Sequence, residues 1–252
     1  MIRAGWQQLL RFIALLALSV LALQLYFALR IALMLAVDPQ STSFQRSEAW
    51  RLLTQQHRLL WSQQWVGYER ISSHLKRAVI ASEDAAFTDH SCVDWEALEK
   101  AWEKNVRAQA RAERINERLA QRHGAKAVTA EVIGGSTITQ QLAKNLFLDG
   151  ERSLPRKGQE FLLTFMLEAM LPKQRILEIY LNNVEWGEGV FGAQAAARHY
   201  FHVDAAQLGA YPAARLAVML PAPKRFEKRP DSPYVSGRAG TIVARMAAVD
   251  LP

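Results

Sequence analysis

The longest uninterrupted apolar pattern in the chain is FIALLALSVLALQLYFAL, from Phe12 to Leu29. It carries no charge and continues through Arg30 into IALMLAV before Asp38 and Pro39. A helix needs about 20 apolar residues to cross a bilayer. Residues 12–37 therefore read as a transmembrane helix, with Arg30 reaching to an interface along its aliphatic stem. Residues 1–11 hold Arg3 and Arg11, and basic flanks of this kind favour a cytoplasmic N-terminus. A cleaved signal peptide would usually have a shorter apolar region, followed closely by a small-x-small site. No such site follows here, so the stretch reads as an uncleaved anchor.

Behind the anchor the pattern changes. Residues 38–67 look like a connecting arm with some helical character, and residues 68–252 like one mostly helical domain. Apolar residues recur there at three- and four-residue spacing, Gly and Pro punctuate the segments, and alternating strand-like runs are nearly absent. In WEALEKAWEKNVRAQARAERINERLAQR, ending at Arg122, charges recur at helical spacing. That normally marks a solvated face; a basic contact with lipid head groups is the other reading. The stretch FLLTFMLEAML, Phe161 to Leu171, is too short to span a membrane and is predicted to be a buried core helix. Pro172 then opens the next helix, in which Ile176 stacks on Tyr180 and Leu177 on Leu181.

Composition narrows the classes. Of 252 residues half are hydrophobic, enough for one domain with a core once the anchor is set aside. The single cysteine, Cys92, excludes an intramolecular disulfide framework and a cysteine-rich metal site. A formal charge of +7 favours nucleic acid, an anionic membrane surface or a phosphorylated substrate. The anchor decides against nucleic acid, because it puts the domain outside the cytoplasmic membrane.

Three stretches could carry chemistry. In SEDAAFTDH, Ser82 to His90, a helix would stack Glu83, Phe87 and His90 on one face. A carboxylate desolvated beside an aromatic suits a general base or acid, although the same residues also read as an ordinary acidic helix end. In GGSTITQQLAKN, Gly134 to Asn145, Thr137 and Gln140 fit a capping box that starts a helix. Ile138, Leu142 and Leu146 make its apolar stripe; Thr137, Gln141 and Lys144 fall on a polar one. The pattern reads equally as a capped amphipathic helix or as an anion site at a helix N-terminus. Arg152 with Arg156, Lys157 and Glu160 reads evenly as a solvated basic loop or a diphosphate cluster. Two weaker patterns carry nothing: Ser73-x-x-Lys76 lacks its partner motifs, and His199 and His202 gather no further ligand.

Taken together, EDAAFTDH, GGSTITQQLAKN, RKGQE, KQRILEIYLN and GEGVFGAQAAARHYF resemble, in order, the motifs of the peptidoglycan glycosyltransferase family. This is the fold shared by monofunctional transglycosylases and the N-terminal halves of bifunctional penicillin-binding proteins. The resemblance runs from about Arg77 to the C-terminus and is nearest the monofunctional biosynthetic type, which has no transpeptidase activity. It implies a mainly α, lysozyme-like fold with a large lobe and a membrane-proximal jaw. It implies polymerisation of Lipid II into β-1,4-linked glycan strands, by inverting transfer with release of polyprenyl diphosphate. By resemblance Glu83 is the general base and Glu160 the second catalytic glutamate. Asp84, Phe87, His90, Ser136, Thr137, Gln140, Gln141, Lys144, Asn145, Arg152, Arg156 and Lys157 would bind substrate. No cofactor is required by the sequence and no metal ligand is assigned; Mg²⁺ at the diphosphate is the candidate ion. Expected partners are Lipid II, the growing strand and membrane lipid, with division or elongation proteins as candidates, at the inner membrane with the domain on the periplasmic side.

The chain departs from the family pattern in places. Cys92 stands for a usual glycine, Gln159 for a frequent second lysine, Tyr211-Pro212 for a common Glu-Ala, and the segment between the first two motifs is long. Two rival readings follow: a lytic enzyme of similar fold, which would need neither anchor nor diphosphate cluster, and a catalytically weak membrane scaffold.

Overall fold

The computed structural model describes residues 2–89, 136–148 and 153–252, together with residues 103, 107, 110, 111 and 114–116. Helix α1 (Ile2–Leu33) includes the 28-residue stretch Trp6–Leu33, of mean hydropathy 2.4, long and apolar enough to cross a membrane. Its far end is docked. Ile31 and Met34 are buried, Phe27 meets Phe147 edge-on at 5.4 Å, and Arg175 donates to the Met34 carbonyl at 2.8 Å while pairing with Asp38 at 2.7 Å. The Arg30 guanidinium lies over the rings of Tyr26 and Phe147, at 5.8 and 5.3 Å.

The segment after the anchor is built into the domain. Helix α2 (Ser43–Arg51) starts on a capping box between Thr42 and Gln45, and the buried Gln45 donates to Asn183 Oδ1 at 3.4 Å. Strand β1 (Ser62–Gln63) follows, then α3 (Ser73–Glu83), α4 (Ile138–Phe147), α5 (Leu154–Met170), α6 (Lys173–Asn183), β2 (Glu185–Gly187), β3 (Val190–Phe191), α7 (Ala193–Phe201), α8 (Ala210–Met219), α9 (Pro223–Phe226) and α10 (Pro233–Met246). The mainly α expectation holds. Helix α3 packs against α8 and α10, a layer that buries Leu75, Val79, Leu216 and Ile242 among alanines such as Ala78 and Ala217. Burial of this kind is worth roughly 1.5–3 kcal/mol per large aliphatic side chain.

The three strands form a small sheet of order β1-β3-β2, with β1 parallel and β2 antiparallel to β3. Strands of two and three residues are too short for an alternating pattern to announce them. The turn between β2 and β3 depends on Gly189, whose φ is +73° and where a Cβ would run into the Leu60 carbonyl oxygen; only glycine suits both demands.

One expectation changes. The stretch 161–171 is not buried throughout: Leu163, Leu167 and Leu171 enter the core, whereas Leu162 and Phe165 stand 49% and 50% exposed. A helix of 3.6 residues per turn cannot turn such a continuous apolar run inward on one face. Ser73-x-x-Lys76 is structural, since Lys76 Nζ donates to the Tyr68 carbonyl at 3.2 Å and sits 3.8 Å from the centre of that ring. Within the long charged segment, the described residues are helical and mostly exposed, with Arg107 and Glu103 paired at 3.1 Å across one turn.

Candidate active site

Helix α3 ends at Glu83. Asp84 closes it in an extended conformation (φ −162°, ψ 73°), and the chain then turns through residues 85–89. This corrects the stacked face expected for Glu83 and Phe87. Phe87 is fully buried, beneath Lys173, whose Nζ lies 4.5 Å from the ring centre, so it packs the core instead of facing a substrate. His90 and Arg152 lie outside the described residues, as does Cys92.

Asp84 turns inward. Its Oδ2 accepts the backbone N–H of Ile138 at 3.1 Å, which puts a carboxylate at the positive end of α4. Thr137 caps the same helix with Gln140: Thr137 Oγ1 accepts the Gln140 N–H, and Gln140 Oε1 accepts the Thr137 N–H, both at 3.2 Å. The capping box expected here is present. It also leaves Asp84 and Thr137 buried, at 7% and 3% exposure, as holders of the helix more than contacts for a ligand.

A cavity of about 480 Å³ opens on the polar face of α4. Ser136, Gln140, Gln141, Lys144 and Asn145 line one wall. Arg156, Lys157 and Glu160 line another, from the start of α5, which Ser153 caps by accepting the Arg156 N–H at 3.3 Å. Glu160 is 3% exposed and is held by Lys157 and by Arg156, the latter at 3.5 Å. Among the described residues the buried Arg156 Nε has no hydrogen-bond partner. Two basic side chains and a helix N-terminus thus meet at one wall, a setting that attracts anions.

Glu83 stands beside this cavity, half-buried, and is joined to it by Gln141. Gln141 Nε2 donates to Glu83 Oε2 at 2.9 Å, and Gln141 Oε1 accepts from the Tyr180 hydroxyl at 3.0 Å. Burial pushes the Glu83 carboxyl above its usual range, the Gln141 hydrogen bond opposes that rise, and the charge of Asp84 adds to it. The buried Tyr180 hydroxyl is pushed well up, so it remains a donor at any working pH.

The remaining walls carry residues that sequence reasoning missed. Phe44 comes from α2, Glu185 from β2, and Leu220, Pro221 and Pro223 from the turn into α9. None belongs to a polar cluster in the sequence, and only the fold brings them to α4. Gln159, which replaces a frequent family lysine, points the other way. Its side-chain amide exchanges two hydrogen bonds with Gln24 of α1, at 2.9 and 3.0 Å.

A sequence model described as Transglycosylase matches residues 52–247. The chain belongs to the transglycosylase family. It is 51% identical over 232 residues to a biosynthetic peptidoglycan transglycosylase of Burkholderia pseudomallei (strain K96243), covering 92% of this chain and 83% of the relative. It is 50% identical over 235 residues to the protein of the same description from Herminiimonas arsenicoxydans, covering 93% of each. The Janthinobacterium sp. (strain Marseille) protein, again of that description, is 49% identical over the same share of both chains. Transglycosylase membership accords with the mainly α, lysozyme-like fold class and with the anchor at the N-terminus.

Among the described residues no three His, Cys, Asp or Glu side chains converge as a metal cage, and Glu160 already faces two cations. The described side chains do not by themselves form a nest for Mg²⁺.

Proposed function

We propose that this transglycosylase polymerises Lipid II into β-1,4-linked glycan strands, with Glu83 as the general base. The observation that carries the reading is a carboxyl of raised proton affinity, fixed by Gln141, beside a cavity whose other wall is cationic. A base is most effective when its pKa approaches the working pH, and such a group typically supplies about 10²–10⁴-fold in rate. Glu83 takes the proton of the acceptor 4-hydroxyl as that oxygen attacks the donor's anomeric carbon. The bond from that carbon to the diphosphate breaks with inversion, and polyprenyl diphosphate leaves.

Charge grows on the diphosphate as it departs. Lys144, Arg156 and Lys157 are placed to stabilise it, together with the amide dipoles at the start of α5, and fixed charges in a water-poor site act strongly on developing charge. Arg152 belongs to this group by resemblance. Glu160 holds Arg156 and Lys157 in place, and Ser136, Gln140 and Asn145 complete the donor side.

The apolar N-terminal helix supports a domain held at a bilayer. The basic N-terminus favours the cytoplasm, and this supports a domain on the outer face of the inner membrane, with Lipid II and the growing strand as its partners. Membrane lipid is the natural cover for the exposed Leu162 and Phe165, on the helix that Gln24 of the anchor touches.

The test is polymerisation of purified Lipid II in detergent, wild type beside Glu83→Gln, with products resolved on a gel. Polymer from wild type alone, with both proteins equally folded by circular dichroism, supports the reading. Full activity in Glu83→Gln refutes the role of Glu83; shortening of preformed glycan points to a lytic enzyme.

A further inference from the structure

One carboxyl in the cavity has no task in the reaction as described. Glu185 begins β2, is 6% exposed and lines the same cavity as Glu160, which is itself held by Arg156 and Lys157. Its Oε1 is buried and, among the described residues, meets no donor nearer than one shared ammonium. Lys224 Nζ lies 3.5 Å from that oxygen, but the same ammonium is engaged with Glu48. Glu48, Glu227 and Tyr200 are the other titratable groups acting on Glu185 or acted on by it. Burying a polar oxygen without a hydrogen bond costs roughly 1–3 kcal/mol, and a shared ammonium at 3.5 Å offsets only part of that, so a ligand that donates to Glu185 in the cavity is favoured.

The chemistry of that ligand follows from the charges around the cavity. Lys144, Arg156 and Lys157 occupy the walls from α4 and α5, which is where a diphosphate is favoured. A carboxyl at β2 repels a diphosphate. It accepts instead from neutral donors, and in a lipid-linked saccharide these are sugar hydroxyls and acetamido N–H groups. We propose that Glu185 is a saccharide-recognition residue, accepting a hydrogen bond from a hydroxyl or acetamido N–H of the sugar whose diphosphate faces α4 and α5. The assignment rests on the Lipid II reading above.

The binding is pH-dependent with a definite sign. Burial, together with Glu48 and Glu227, pushes the Glu185 carboxyl up to about 7, against the opposing charge of Lys224. An ionised carboxylate is the stronger acceptor, so affinity for the saccharide rises as pH passes upward through that value.

The experiment measures equilibrium binding of fluorescent Lipid II to the full-length protein in detergent. It is done on the non-reacting Glu83→Gln background, so that turnover and titration of the base do not enter. Adding Glu185→Gln is expected to weaken binding about tenfold at pH 8.5 and by less than twofold at pH 5.5. Lys224→Met, with Glu185 intact, should move the wild-type inflection to higher pH. Equal affinity with and without Glu185→Gln at pH 8.5 overturns the proposal, and so does an equal loss at both pH values, which would mark a structural role. Absence of Lipid II binding by a folded Glu185-containing protein would instead overturn the reading beneath it.

Discussion

Gln141 donates its side-chain Nε2–H to Glu83 Oε2 at 2.9 Å. A glutamine amide is two-faced, and only one orientation offers a donor to a carboxylate. Tyr180 selects it by donating to Gln141 Oε1 at 3.0 Å, and its pKa, pushed far up by burial, keeps that proton in place. In Tyr180→Phe the amide oxygen loses its donor and is free to turn toward Glu83. A carbonyl facing the carboxylate raises its proton affinity further. Glu83 works ionised, so activity is lost as pH falls through its raised pKa. The acid limb of the kcat/KM profile for Lipid II polymerisation should therefore lie above the ordinary carboxylate range in wild type, and higher again in Tyr180→Phe. Loss of one neutral hydrogen bond of about 1 kcal/mol implies roughly a five- to tenfold fall in rate at neutral pH. An unchanged limb in the variant would sever Tyr180 from the base.

Asp84 ties the end of α3 to the start of α4 by accepting the Ile138 N–H at 3.1 Å. Asp84→Ala removes an acceptor from a helix N-terminus, which costs about 0.5–2 kcal/mol, and should lower stability to denaturant by that amount. Asp84→Asn keeps an oxygen there and loses only the charge against the helix dipole, about 0.3–1 kcal/mol. The order wild type, Asn, Ala in urea midpoint is the expected result. Equal midpoints for all three would mean that Thr137 and Gln140 hold the helix without help.

Much of this site could be read in the linear chain, for a physical reason. The capping box at Thr137 and Gln140, the stripe Ile138-Leu142-Leu146 and the cations Arg156 and Lys157 are local patterns, set by helical periodicity within a few residues. What could not be read depends on contacts far apart in sequence. Phe44 and Glu185 reach the cavity because α2 packs against α4 and β2 borders the same cavity, and no short-range spacing encodes that. The face expected for Glu83 and Phe87 failed because Asp84 serves α4 in preference to continuing α3. Gln159 read as a weakened catalytic motif until the structure gave it a partner in the anchor.

Glu185 carries a stability signature separate from its proposed role in binding. Its folded pKa, about 7, lies above the ordinary value of 4.5, so folding favours the neutral acid. The cost of ionising it appears as pH rises from about 4.5, grows to about 7, and is constant above. Between those limits it amounts to something on the order of 3 kcal/mol. Glutamine has no proton to lose. Glu185→Gln should therefore unfold at higher denaturant than wild type at pH 8 and match it at pH 4. Destabilisation at pH 8 would mean that the pairing with Lys224 outweighs the burial.

The pair Gln24 and Gln159 offers the sharpest test of how the anchor is held. Each amide donates to the other, at 2.9 and 3.0 Å, in a part-buried contact between α1 and α5. Replacing one partner strands a polar amide in that contact, at about 1–3 kcal/mol, whereas replacing both with apolar groups of similar shape is nearly neutral. Gln159→Leu and Gln24→Leu should each destabilise the full-length protein in detergent, and the double variant should recover most of the loss. The coupling read from this cycle isolates the pair from the individual side chains. Gln159→Lys, which restores the residue frequent in the family, should destabilise like Gln159→Leu, because an ammonium cannot accept from Gln24. Additive losses in the double variant would show that the two amides do not depend on each other, and that the anchor is held by its other contacts, those of Phe27, Arg30, Ile31, Met34 and Arg175.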